Sequence, residues 1–464
     1  MESSSSDRTL LWLVAIGFFM ETLDSTIVNT ALSSMARDLG KSPFSMQLVI
    51  ISYALTLAVL IPLSGWLTDR FGTKRVYLGA IITFTASSLL CAMAPTLNWL
   101  IFARVLQGAG GSMLLPVGRL AILRAFPGER YLPALSFVAM PALLGPLVGP
   151  TLGGWIVQYF SWHWIFLINI PIGIIGCFAT WKAMPQDDFI IKRKFDILGF
   201  TQLSVFMVCV SVAFDAISEK QFSYGVILFL FIFGLASLVS YALKAAKNHE
   251  ALLSLELFKT RTYSIGILGN LFARIGAGCM PFLLPLFLQT SLGYSPLESG
   301  MAMLPLAFAA ILAKKIVLPI VTHFGYRKFL IGNTIFVGLG IASFYFTSNL
   351  GNEYLRMLQF FIFGAFNSMQ FTAMNTLTMK DLEKRLSSHG NTMFSMVQML
   401  SMSFSVAAAS SLLSTFLSTH EMLRAFHMTF FCMGALTCTS AWIFGQLNLV
   451  ENVEGKVSVT TEDQ

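Results

Sequence analysis

Gly65-Trp66-Leu67-Thr68-Asp69-Arg70-Phe71-Gly72-Thr73-Lys74-Arg75 is a short charged loop between two long apolar blocks. A later loop, Thr322-His323-Phe324-Gly325-Tyr326-Arg327-Lys328, repeats its pattern: Phe-Gly, then two basic residues starting two positions on. Gly325 follows Gly72 by 253 residues. Each copy stands between the second and third apolar blocks of a run of six. The chain therefore reads as two related six-block halves with two further blocks between them. Parallel repeated halves are a signature of membrane carriers, whose substrate site lies between the halves near the bilayer midplane.

Composition agrees with that reading. Of 464 residues, 55% are hydrophobic and 11% charged, against roughly 25% charged in soluble domains. So few charges do not cover a water-soluble surface. The apolar blocks are about 20 residues long, enough to cross a ~30 Å hydrocarbon core as helix. Fourteen spans are expected, near residues 10–34, 46–68, 76–95, 99–123, 131–157, 164–184, 197–216, 223–246, 263–290, 296–320, 328–347, 354–379, 390–416 and 425–446. The fold class is thus all-α and polytopic, in a 6 + 2 + 6 order. Residues 1–184 form the first bundle, 185–262 a linker with two inserted spans, 263–446 the second bundle and 447–464 a tail.

An even number of spans puts both termini on one side, and charge says which. With the termini inside, 20 of the 30 Lys and Arg fall in inner segments. Only Arg37, Lys41, Lys220, Arg356 and Arg424 fall outside. That bias follows the positive-inside rule and gives cytoplasmic termini. It also explains the net charge of +7 without nucleic acid. The first block lacks a small-residue cleavage site and reads as a retained helix. The 42 Phe and 23 Met are read as lipid-facing and gap-filling side chains. The six Cys all lie inside apolar blocks, without CxxC spacing, and read as inert thiols.

Arg104, Arg119, Arg274, Lys314 and Lys315 lie within spans, where a charge is costly and needs a partner or a wet cavity. Span 1 carries Glu21 and Asp24, one turn apart and on one face. A carboxylate in low dielectric is suited to carry a proton. The bland alternative is that one acid only neutralises Arg104. Span 4 opens Arg104-Val105-Leu106-Gln107-Gly108, placing Arg104 in the same outer half as Asp24. Arg119 and Asp69 fall toward the inner side, where a contact between them is allowed. Span 5 holds a small-residue stripe, Gly145, Gly149 and Gly153, with Gly154 beside it and Pro146 and Pro150 interleaved. Such a stripe lets a neighbouring helix approach closely, and the prolines bend its own helix. It serves either a gate or plain packing. Arg274 occupies the place of Glu21 in the repeat, 253 residues on. It either binds an anionic substrate, repels the proton site, or forms an ion pair. Asn270, Asn367, Gln370 and Gln107 are further polar candidates for the cavity, each equally suited to a helix–helix hydrogen bond. Lys314 and Lys315 lie near enough the inner end of span 10 to snorkel. No GxxxxGK[ST] loop, HExxH or GxSxG sequence is present, so no cofactor, metal or enzymatic activity is expected.

The loop at 65–75 resembles the loop 2–3 signature of the major facilitator superfamily. Leu23-Asp24-Ser25-Thr26-Ile27-Val28-Asn29-Thr30-Ala31-Leu32 is similar to the span 1 motif of its fourteen-helix drug:proton antiporter branch. Arg104 with Gln107-Gly108 resembles the span 4 motif tied to proton transfer. Gly145-Pro146 through Gly153-Gly154 resembles the span 5 motif of antiporters, and Trp162-His163-Trp164 through Pro171 is typical of the same branch. The second-half loop departs, with Thr322 where Asp69 stands in the first. The resemblance implies alternating access in a bacterial inner membrane, driven by a proton gradient. It implies that Asp69, Arg70, Gly72 and Arg75 help hold a cytoplasmic gate. It implies export of small amphipathic compounds by a protein expected to be a monomer. A dedicated carrier of one metabolite, such as a siderophore, and a non-transporting sensor are the alternatives.

Overall fold

The computed structural model describes residues 5–126, 130–186, 195–219, 223–247, 251–383 and 386–447. The tail beyond 447, the whole inner basic run at 192–194, and Lys220, Lys384 and Arg385 lie outside the described residues. Among those described there are helices, turns and bends but no strand. That suits burial in a membrane: in hydrocarbon, a helix satisfies its own backbone polar groups.

Among the described residues, thirteen helices are long and apolar enough to cross a membrane. They are α1 (Asp7–Thr30), α2 (Pro43–Leu60), α3 (Thr73–Ala92), α4 (Leu97–Ala125), α5 (Pro133–Tyr159), α6 (Trp164–Ala183), α7 (Ile197–Ile217), α8 (Tyr224–Ala245), α9 (Arg261–Thr290), α10 (Pro296–Phe324), α11 (Tyr326–Asn349), α13 (His389–Leu417) and α14 (Met422–Phe444). The remaining expected span, 354–379, is also helical, as α12 (Glu353–Lys380, 28 residues). It does not qualify on apolarity, since Asn367, Gln370, Thr372, Asn375 and Thr376 interrupt it. The second span is broken at Ile61–Pro62 and resumes as a helix over Leu63–Phe71.

The repeated loops share one backbone conformation. Gly72 (φ 83°, ψ 152°) and Gly325 (φ 78°, ψ 154°) each join two helices at a positive φ that favours glycine. Burial then separates central from peripheral helices. In α9, 72% of the apolar stretch is enclosed, and in α1, α4 and α13 61%, against 17% in α5 and α8. The inserted pair α7–α8 packs mainly on itself, with α7 also against α13 and α2. At its loop end Lys244 pairs with Asp196 at 2.5 Å. Burial alone would raise the Asp196 carboxyl, but Lys244 and the Gly199 N–H hold it below its ordinary range.

One end of the bundle carries the loops near residues 38–46, 158–164 and 291–296, and there the two halves are stitched together. Gln289 Nε2 donates to Thr30 O at 3.0 Å, and Leu297 N to Gln158 Oε1 at 3.1 Å. Thr151 Oγ1 donates to Gly300 O at 3.3 Å. A single apolar core from both halves, including Leu32, Met46, Phe287 and Phe426, backs this seal.

Candidate functional site

The first half places its site on α1. The glycine stripe of α5 makes room for it. A side chain at Gly145 would strike Thr22, one at Gly149 would strike Thr26, and one at Gly153 would strike the Ile27 carbonyl. Thr26 Oγ1 reaches across to Gly145 O at 3.2 Å. The stripe is thus the seat of the helix that carries both acids. On α4, Gly110 lies against Ala80 and Phe84, and Gly108 against Tyr53 and Thr56, drawing α3 and α2 inward.

Asp24, with 0% exposure, meets Arg104, with 1%, in the centre of this packing. Arg104 Nη1 donates to Asp24 Oδ2 at 2.6 Å. Gln107 Nε2 and Asn169 Nδ2 each donate to Asp24 Oδ1 at 2.8 Å. Gln107 also accepts from Arg104 at 2.6 Å and donates to Ser88 Oγ at 2.9 Å. Arg104 Nε donates to Val49 O at 3.2 Å, and its guanidinium stands 4.0 Å from the Tyr53 ring. Five helices, α1, α2, α3, α4 and α6, close on one carboxylate. Such a pair, paired and fully hydrogen-bonded, is the condition under which buried charge is tolerated.

Glu21 is different. It is 4% exposed, and no cation among the described residues is within ion-pairing distance. Its polar neighbour is Tyr53, the same ring that supports Arg104, and Asp24 and Arg119 supply the charges around it. The two acids that sequence placed on one face are therefore separated by environment: one locked, one without a counter-ion.

In the second half, Arg274 on α9 is 7% exposed. Its Nε donates to Asn270 Oδ1 at 3.1 Å and its guanidinium carbon lies 3.2 Å from the centre of the Phe371 ring on α12. Its Nη2 is buried without a hydrogen-bond partner, and no acid pairs with it among the described residues. Of the readings offered for it, an ion pair is absent. Asn270 is held by Gly266 O and Thr378 and so serves to orient Arg274. Gln370 is drawn away from any cavity: it accepts from Asn333 Nδ2 at 2.8 Å and donates to Thr334 at 2.6 Å, tying α12 to α11. Gln107 is likewise consumed by the Asp24 cluster. Asn367 is half-buried, with no hydrogen bond from its side chain to a described residue. Lys314 and Lys315 are exposed on α10.

The charged loop holds no ion pair. Among the described residues, Asp69, Arg70, Lys74 and Arg75 have no oppositely charged partner, and the allowed Asp69–Arg119 contact is not made. Arg70 instead lies over Trp66 at 5.2 Å.

Sequence reading missed Asn169, Ser88 and Tyr53 as parts of the Asp24 cluster. Asn169 lay inside the quoted Trp162–Pro171 stretch, where a single amide opening an apolar helix was the available signal. Ser88 and Tyr53 gave none, because their roles come from which helix faces them.

The model of the Major Facilitator Superfamily matches residues 14–406. The chain is 46% identical over 448 residues to the "Putative multidrug resistance protein MdtD" of Escherichia coli O127:H6, covering 95% of each chain. It is equally identical over 454 residues to the protein of that name from Serratia proteamaculans, covering 96% of this chain and 95% of the other. Among solved structures, a D-xylose-proton symporter superposes with a TM-score of 0.70 at 13% identity, over 95% of this chain and 98% of that one. A peptide transporter POT in complex with sulfate gives 0.69 at 15%, over 94% and 93%. These two likenesses are of fold.

Proposed function

The chain belongs to the Major Facilitator Superfamily, a family of membrane transporters and not of enzymes, and on that premise we propose that it is a proton-coupled antiporter. It exports small amphipathic compounds across a bacterial inner membrane by alternating access. α12 crosses with the other thirteen helices, with Ser368, Gln370 and Asn375 hydrogen-bonded to neighbouring helices. The division is 6 + 2 + 6, and both termini are cytoplasmic, as the basic loops favour. The sealed end is then the outer one. Asp69, Arg70 and Arg75, which have no oppositely charged partner among the described residues, belong with Gly72, the turn between their helices, to a cytoplasmic gate in its released state. The MdtD relatives' name supports drug export.

The observation that carries proton coupling is the contrast at α1: Glu21 is buried without a cation, while Asp24 is saturated by Arg104, Gln107 and Asn169. A carboxylate in that position is held neutral at little cost and ionises only when the cavity wets or a cation enters. In proteoliposomes with a pH-sensitive dye, Glu21→Gln is expected to abolish transport driven by a proton gradient. Substrate counterflow, which moves no net proton, is expected to persist. Full gradient-driven transport by Glu21→Gln would remove the assignment.

Arg274 favours a second reading, a dedicated carrier of one anionic metabolite. Its buried Nη2 is a donor awaiting an acceptor, and leaving it unmade is costly. A compound panel run through the same vesicles separates the two: transport confined to anions, and lost in Arg274→Gln, selects the carrier.

A further inference from the structure

A second cavity, of about 1000 Å³, lies apart from the α1 cluster, between α5, the end of α9, α10 and the start of α12. Its size is at the upper end for small-molecule sites. Much of the lining is apolar: Leu147 on α5, Leu304 and Phe308 on α10, Met357 and Phe361 on α12. Beside Leu147, the side chains of Leu144 and Val148 on α5 are exposed, so this face meets acyl chains in a membrane.

The rim at the sealed end is charged: Glu298, Glu353 and Arg356. Arg356 is fixed in place, its Nε donating to Leu350 O at 2.9 Å and its Nη1 to Tyr294 Oη at 2.7 Å. Its Nη2 has no partner among the described residues. Glu298 uses one oxygen to cap α10, accepting from Ser295 N at 2.8 Å. Its other oxygen and the Glu353 carboxylate remain for a ligand. From Arg356 to Phe361 along α12 is about 8 Å at 1.5 Å per residue. The cavity thus runs from a charged rim to an apolar floor over roughly the distance from a lipid headgroup to its upper acyl chain.

We propose that this cavity is a binding site for an aminophospholipid. Its phosphate sits at Arg356, its primary ammonium between Glu298 and Glu353, and an acyl chain lies along Phe308 and Phe361. The pattern of charge selects that head. A purely anionic head meets two carboxylates, and a purely cationic amphiphile meets the guanidinium. Only a head with both signs is matched at each end. The same helices, α5 and α10, cross here at close quarters: a side chain at Gly154 would strike Pro296 O, and one at Gly300 would strike Pro150 O. A lipid wedged beside that crossing stabilises whichever state keeps it closed, by its differential affinity for the two states.

Native mass spectrometry of the full-length, delipidated protein tests this, with phosphatidylethanolamine and phosphatidylglycerol titrated separately. One phosphatidylethanolamine is expected to bind at least tenfold more tightly than phosphatidylglycerol. Arg356→Ala should weaken both. Glu298→Gln with Glu353→Gln should remove the preference, and Gln at 298 still closes the helix cap. Melting temperature reports folding. If Arg356→Ala does not fold, Leu304→Trp fills the cavity from its apolar wall and should displace the lipid instead. Equal affinity for the two lipids, or retention unaffected by the variants, would overturn the proposal. So would ethidium binding that the rim variants abolish while lipid binding stays, since the cavity would then be a portal for cations.

Discussion

Asp24 and Glu21 are one helical turn apart and chemically alike, yet their surroundings divide the work. Asp24 accepts from three side chains on two other helices, α4 and α6. Among the described residues its charge and that of Arg104 are paired with each other alone, and both are buried. Removing one partner of such a pair typically costs about 3–5 kcal/mol, because the other is left buried and uncompensated. Asp24→Asn is therefore expected to lower the melting temperature sharply. Replacing Arg104 as well, by Gln, should recover part of the loss. Glu21→Gln breaks no pair and should melt close to the parent protein. Thermal unfolding of the four proteins in one detergent checks this. Equal loss in the Glu21 and Asp24 variants would show that both acids are structural.

At the scale of the element, α5 shows what a small-residue stripe is for. Its glycines face Thr22, Thr26 and Ile27 on α1, so the stripe fixes the depth at which the acids sit. Pro141, Pro146 and Pro150 lie within the same helix, which lets it bend around α1 and still reach α10 at Gly154. Gly149→Leu would push α1 away at Thr26. Overpacking of this kind usually costs 1–3 kcal/mol. The variant is expected to lose that stability and, if α1 carries the proposed proton site, to leak protons without substrate. Thr26→Ala in the same chain should restore part of both. Melting and substrate-free proton flux measured on one preparation decide the matter. A stable, tightly coupled Gly149→Leu protein would show that the contact matters to neither.

Across the whole molecule, one end is sealed by both halves, while the charged side chains of the loop at 65–75 have no ion-pair partner among the described residues. Two-state carriers move because packed interfaces are bistable. A gate charge that is unpaired in one state acts by pairing in the other. Asp69 is half-buried and has no ion-pair partner among the described residues, so Asp69→Asn should leave this state little changed and weaken the opposite one. Cysteines placed on the cavity side of α4 should become more accessible from the terminal side of the membrane. Unchanged accessibility would mean that the loop does not hold a gate.

The sequence by itself determined the class of molecule. Block length, the scarcity of charge, the two Phe-Gly loops and the bias of Lys and Arg are local or additive properties, and water and lipid read them without reference to the fold. The positions of the thirteen apolar helices follow for the same reason; the block at 354–379 is helical as well, and its amides keep it below the apolarity of those thirteen. The sequence also marked Glu21, Asp24, Arg104 and Arg274, because a charge in an apolar block needs an explanation wherever the helix lies. Tertiary structure decided their partners. Nothing in the chain order says that Arg104 meets Asp24 and passes Glu21 by, that Asn169 comes from α6 to complete the cluster, or that Gln370 turns to Asn333. Those outcomes depend on helix rotation and on how closely backbones approach. Here that approach is set by glycines on α4 and α5 against particular side chains of α1, α2 and α3, contacts between residues dozens to more than a hundred positions apart.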